Sequence, residues 1–387
     1  RDRGAGGSMA LDAHPLVREY FGGRLREEHR AAWQAAHRRL YEHLTATTEP
    51  RPDTLAGLQP LYQAVAHGCL AGLHQQACAD VYRDRILRGT GSDGFYSSKK
   101  LGAIGADLGA VACFFDTPWT AVSPNLTPAA QAWLLNEAAF YLRALGRLTE
   151  AAEPMRASME MDIDRGEWKG AAISASNLSQ LELTRGAVAA AVTAGGESVT
   201  YADRSGDAFQ RMSKRIAHAD ALHQAGRTDE ARGLFEEAER MQAERQPAYP
   251  RLYSLQGFQY CDLLLAPTER AAWLRLTATQ RGGRESRNDV GSHVPALPVP
   301  ALPVGSRLNE QSDLLAVCAA VTERATQTLA WAEQNRAPLL DIALDHLTLA
   351  RAALYRAILL QPEISNHESQ ISNQESQIAD HLAAAVD

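Results

Sequence analysis

Gly146, Gly186 and Gly226 recur at a fixed interval of 40 residues, each inside a similar phrase. The phrases read LRALGRLTEAAEPM from Leu142, ELTRGAVAAAV from Glu182 and LHQAGRTDEARGLF from Leu222. Self-similarity at a period of this size marks a repeat array, because one short unit cannot bury its apolar face alone and must stack on its neighbours. A glycine between two helical patterns fits the turn of a helical hairpin, where a left-handed backbone is needed. Val, Ile and Thr nowhere form alternating runs, so little sheet is expected. The chain is therefore expected to be an all-α solenoid with a period of about 40 residues, and 387 residues are too many for one compact core. Surfaces of this kind serve recognition more than catalysis, and no enzyme activity is expected.

The opening RDRGAGGSM lacks an apolar stretch and reads as a tag remnant over 1–9. Residues 10–45 form a helical segment, with Leu25, Trp33, Leu40 and Leu44 near helical spacing. Residues 55–128 read as degenerate helical repeats: helices over 55–73 and 75–89, a Gly/Ser loop over 89–100, and a helix over 101–115. In that last helix the small residues 102, 105, 106, 109 and 110 invite a close neighbour. A loop over 116–128 follows, capped by Thr127 or Asn125. The regular repeats occupy 129–278, with Thr268 roughly in register 42 residues beyond Gly226. Residues 279–308 duplicate VPALP within Arg/Ser-rich text and are expected to be a disordered Pro-rich insertion. Helical repeats resume over 309–362. Residues 363–387 carry the near-duplicates ISNHESQ and ISNQESQ and then stop within what reads as a truncated helix, as expected of a fragment of a longer protein.

The positions around the glycines resemble tetratricopeptide repeats. Ala151, Ala191 and Ala231 fall at the small position opening the second helix, Phe235 and Ala238 at the later aromatic and small positions, and Ala139 and Ala219 at the small site of the first helix. The resemblance implies a right-handed superhelical solenoid of tetratricopeptide-like hairpins. Glu182 stands where a tyrosine is usual, Gly195 and Gly196 weaken the second repeat, and Pro154 falls inside a helix. The period exceeds the family's usual 34 residues and implies longer helices. A second resemblance covers nearly the whole chain. DAHPLVREYF, VYRDRILRG, LGAIGADLGAVACFF, WLLNEAAFYLRALGR, YADRSGDAFQRM and LLDIALDHLTLARA are similar to the winged-helix end and repeat arm of bacterial signal-transduction ATPases with numerous domains. It implies a sensor arm acting in signalling, in antiphage or conflict defence, with His14 as the nucleotide-sensing histidine of the intact protein only. The ATPase core itself is absent, since no GxxxxGK[ST] occurs.

The net charge of −7 and the lack of a basic stripe argue against a nucleic-acid partner. No apolar run approaches the ~20 residues that cross a bilayer, so no membrane partner is expected. Five scattered cysteines without CxxC fit reduced thiols in the cytoplasm. His67, Cys69, His74 and Cys78 lie within twelve residues and raise a metal-dependent reading, but helical spacing turns Cys69 away from the rest; packed thiols and surface histidines are expected, with no metal or cofactor. His218 and His223 flank Asp220 and invite an acid–base reading. The simpler reading places Asp220 and His223 on the inner face of a first helix. That face collects Trp133, Asn136, Phe140 and Arg143, then Ser176, Gln180 and Thr184, then Ile216, Asp220, His223 and Gln224, then Phe258 and Asp262. Aromatic anchors mixed with adaptable polar groups suit a protein or peptide trigger. The alternatives are the protein's own ATPase domain, held inactive against this face, and a constitutive scaffold without switching.

Overall fold

The computed structural model describes residues 2–3, 9–10, 14–91, 94–285, 304–360, 379 and 383. It is mostly helical, and within each of its two units neighbouring helices pack on one another, consistent with an all-α solenoid. Two compact units divide the chain, Arg1–Gly186 and Ala187–Asp387. Among the described residues, no helix is long and apolar enough to cross a membrane.

The first unit opens with a two-residue antiparallel ladder, β1 (Asp2–Arg3) and β2 (Met9–Ala10). The single helical segment expected over 10–45 is two helices, α1 (Pro15–Glu28) and α2 (Arg30–Thr47), broken where His29 leaves the helical region at φ −137°. Next come α3 (Leu55–Leu70) and the short α4 (His74–Gln76), which runs directly into a π-helical stretch, Ala77–Ile86. The expected Gly/Ser loop is helical over its second half, as α5 (Tyr96–Leu101), and α6 spans Ile104–Ala112. Of the small residues, Gly102, Gly105 and Gly109 have no close neighbour among the described residues, whereas Ala110 is buried, and α6 packs through it together with Leu108 and Val111. A small hairpin, β3 (Phe115–Thr117) with β4 (Ala121–Val122), occupies the expected loop. Thr127 then caps the following helix, its Oγ1 accepting from the Ala130 amide at 3.3 Å.

The regular hairpins are α7 (Pro128–Ala144), α8 (Leu148–Asp164) and α9 (Trp168–Thr184) in the first unit. Their counterparts in the second unit are α10 (Val188–Ser205), α11 (Ala208–Gln224) and α12 (Thr228–Arg245). Each is 17 or 18 residues long, the lengthening that the period implies. Between them, Gly146, Gly166, Gly186, Gly206 and Gly226 all have φ between 68° and 78°, so left-handed turns recur every 20 residues and the 40-residue spacing picks out alternate ones. At Gly146 and Gly226 the turn is a Schellman motif: the Arg147 amide donates to Leu142 O at 2.8 Å, and the Arg227 amide to Leu222 O at 2.9 Å. Ala139, Ala151, Ala191, Ala219, Ala231, Phe235 and Ala238 are all fully buried at the helix contacts. Glu182 is buried where a tyrosine was looked for, and Arg156 and Arg185 hold it at 2.7 and 3.2 Å.

After Gly226 the regular register ends. Thr268 is not at a turn; it lies inside α13 (Ser254–Glu285), a continuous helix that also carries Pro267. This helix and α14 (Val304–Gln334) extend into both margins of the expected insertion, because its prolines, 295, 298, 300 and 303, all lie between them. The VPALP duplication falls at 294–303 and the ISN duplication at 364–377, both outside the described residues. Helix α15 (Leu339–Leu360) follows α14 in the second unit. Its cores center on Phe235 stacked on Tyr260 at 5.0 Å, beside Met212, Ile216 and Leu263, and on Cys261, Leu265, Cys318, Val321 and Tyr355. Burying one such aromatic ring contributes roughly 2–3 kcal/mol.

Candidate functional site

In the second unit the first helices of successive hairpins, α11 and α13, lie side by side, and α15 packs on α13. This brings Asp220, His223, Phe258 and Asp262 together, four of the residues placed on the inner face from sequence. Gln259 Nε2 donates to Asp220 Oδ2 at 3.0 Å, and His223 Nε2 meets Asp262 Oδ2 at 3.3 Å. From α15, Arg351 reaches Asp262 at 2.6 Å and Glu269 at 3.0 Å, while its guanidinium carbon lies 5.9 Å from the center of the Phe258 ring. Gln224, exposed at the end of α11, lies beside Asp220 and works against the rise of its carboxyl.

Charge is distributed unevenly over this cluster. Burial, with the Asp262 carboxylate beside it, pushes Asp220 above the usual carboxylate range, and His223 partly offsets this. The hydrogen bond from His223, followed by Arg351, holds Asp262 below that range. His223 is oriented by Asp262 rather than by Asp220, so the acid–base grouping of His218, Asp220 and His223 does not form as the sequence suggested. His223 Nδ1 is buried with no hydrogen-bond partner among the described residues, which leaves one polar valence open in the cluster. The side chains are held by one another, so an incoming group meets a largely preorganised surface. Ile216 belongs to the core, 1% exposed, and is not on this face.

The first unit has a second grouping, on α7 and α9. Asn177 Nδ2 donates to Asn136 Oδ1 at 3.0 Å, and Arg143 Nη1 to Gln180 Oε1 at 2.9 Å. Phe140 is exposed beside Arg143, whose guanidinium carbon is 6.0 Å from the ring center. Thr184 turns its hydroxyl back to Gln180 O, and Ser176 is buried. Trp133 does not stand on the open face. It packs against Tyr82 of the π-helical stretch at 5.9 Å, beneath the Arg83 guanidinium at 5.1 Å.

Behind Trp133 lies a buried polar layer that sequence reasoning missed. Tyr62 donates to Asp107 Oδ1 at 2.7 Å, Ser97 to Asp107 Oδ2 at 2.9 Å, and Tyr82 to the Tyr141 hydroxyl at 3.2 Å. Glu137 sits beside Tyr141 and Trp133, and its Oε2 has no hydrogen-bond partner among the described residues. Burial raises its carboxyl to about 8 and that of Asp107 to about 6. Nothing in the linear text marked these two carboxylates, because each lies in an otherwise apolar helical phrase.

His14 caps α1, its Nδ1 accepting from the Leu16 amide at 3.3 Å. The His67–Cys78 set does not converge: His67 Nδ1 pairs with His37 Nδ1 at 3.0 Å, and Cys69 and Cys78 are buried, with burial pushing the Cys78 thiol up to about 12. Among the described residues no three His, Cys, Asp or Glu side chains group as metal ligands. No family model matches the chain, and a search of curated proteins finds no relative.

Proposed function

We propose that this chain is a non-catalytic recognition module that holds a protein or peptide trigger on the polar and aromatic faces of its first helices. In this reading it is a right-handed, tetratricopeptide-like sensor arm of a bacterial signal-transduction ATPase, acting in antiphage or conflict defence in the cytoplasm. The observation that carries it is the cluster of His223, Asp262 and Arg351. Charged and amide groups from three helices assemble on one face, with a buried ring nitrogen left open. The five left-handed glycine turns and the buried alanines at 151, 191 and 231 support the repeat class. A sensor must hold its trigger more tightly in its released form than when docked on the ATPase, since only differential affinity shifts such an equilibrium.

Affinity capture with the immobilised chain tests this, using lysates with and without phage infection. A protein retained only after infection, and lost on Phe140→Ala with Asp220→Ala, supports the sensor. Retention of the same protein from both lysates identifies a constitutive scaffold instead. Retention that survives the double substitution removes the faces from the account.

A further inference from the structure

A pocket of about 170 Å³ opens in the second unit, away from Asp220 and His223. A cavity of about 150 Å³ holds a single benzene, and drug-sized ligands need roughly 300–1,000 Å³, so this one admits a compact group. Three aromatic rings form its walls. Tyr249, in the connection between α12 and α13, stands nearly perpendicular to Trp331 of α14, with ring centers 5.3 Å apart at 82°. Tyr253 adds a third wall 6.2 Å from Tyr249, tilted by 58°.

The rings are fixed in place. Asn335 Nδ2 donates to the Tyr249 hydroxyl at 3.1 Å, and the Tyr253 hydroxyl donates to Gln246 Oε1 at 3.1 Å. Asp341, in the first turn of α15, also lines the pocket and accepts from the Ser254 hydroxyl. One turn further along α15, Asp345 is buried behind the wall. Thr328 donates to its Oδ1 at 2.7 Å, while its Oδ2 has no partner among the described residues. Among the described residues no Lys, Arg or His lines the pocket.

Aromatic faces at steep angles, a carboxylate at the rim and a second one behind attract a positive charge whose surface is apolar. A bare ammonium is strongly hydrated and needs acceptors for three N–H groups, whereas a trimethylated one spreads its charge over methyl groups that the rings can cover. We propose that this pocket binds a trimethylammonium group, carried either by choline or by a trimethylated lysine side chain. The site is independent of the recognition faces and does not rest on the sensor reading.

Isothermal titration of the whole chain tests it with choline, trimethyllysine amide, unmodified lysine amide and the neutral carbon isostere of choline, which has a tert-butyl group in place of trimethylammonium. The expected result is saturable binding of one or both trimethylammonium compounds, with the isostere and unmodified lysine at least about tenfold weaker. Tighter binding of choline identifies a free headgroup, and tighter binding of trimethyllysine identifies a modified peptide. Tyr253→Leu, Trp331→Leu and Asp341→Asn are each expected to weaken binding by about tenfold. Tyr253 is 37% exposed, so its variant keeps the fold if either of the others does not. Equal binding of the neutral isostere, no binding of either trimethylammonium compound at about 10 mM, or unchanged affinity in Tyr253→Leu would overturn the proposal.

Discussion

Arg351 ties three helices together through one planar group. Its Nη2 holds Asp262 and Glu269 on α13, its Nε reaches the Tyr355 hydroxyl at 3.4 Å, and through Asp262 it is linked to His223 on α11. Arg351 and Asp262 are only 19% and 27% exposed, so water does not screen the pair fully, while Glu269 at 35% contributes less. Removing the guanidinium leaves two partly buried carboxylates facing each other. Arg351→Ala is therefore expected to cost about 1–3 kcal/mol in urea unfolding, and Arg351→Lys to recover only part of it, because one ammonium nitrogen can stand in for Nη2 but leaves the Nε contact to the Tyr355 hydroxyl unmade. Equal stability of the alanine variant would show that the pair contributes nothing. Asp220, His223, Phe258 and Asp262 were legible in the sequence because first helices of adjacent hairpins present side chains at a fixed register. Arg351 was not. It lies 89 residues from Asp262, on the far side of the Pro-rich text, so the spacing that extended the register from Gly226 to Phe258 and Asp262 could not be carried on to it.

At the scale of elements, the glycine turns decide where each helix stops. Gly226 sits at φ 75°, and a Cβ added there would meet nothing within 4 Å. The cost of Gly226→Ala is thus conformational rather than steric contact with neighbours, about 1 kcal/mol for placing an L-residue in the left-handed region. Gly233, inside α12 and equally open, has ordinary helical φ, so Gly233→Ala is expected to stabilise by about 0.5–1 kcal/mol. Opposite signs in the two thermal melts check the assignment; a loss in both would mean that alanine is resisted for some other reason. Helix existence over 128–245 was legible because glycine spacing and apolar period agree there. The π-helical form of Ala77–Ile86 was not, since an apolar stripe is compatible with either ladder over ten residues. Helix α13 overran its expected stop because the text from 279 to 285 contains glycine but no proline, and glycine weakens a helix without ending it.

On the scale of the whole molecule, the two units differ in how their buried acids titrate. In the first, Glu137 binds its proton up to about 8, while an unfolded glutamate releases it near 4.3. Between those values the native state holds a proton that the unfolded chain lacks, so stability falls as pH rises, by up to about 1.4 kcal/mol per pH unit, and levels off above pH 8. Asp107 and Asp162, both near 6, lose most of their effect below the upper part of that window. His37, His67 and His74 have native values lowered by burial; they favour the folded state as pH rises toward their unfolded value of 6.5 and add little above it. The interval from about pH 6.5 to 8 therefore isolates Glu137. In the second unit Asp345, near 6, is largely ionised by then, and Asp262, held low, acts only in acid. Lys214, lowered to about 8 by burial, begins to release its proton while the unfolded chain keeps it, which favours that unit as pH rises further. Hydrogen exchange on the intact chain, corrected for the intrinsic rate, reads both units at once. Opening free energies in α7 are expected to fall by roughly 1–2 kcal/mol from pH 6.5 to 8, with those of α11 and α12 level. Glu137→Gln should flatten the first unit's profile, because the amide cannot ionise; an undiminished fall in that variant, or an equal fall in both units, would mean that the buried carboxyl of Glu137 is not its source.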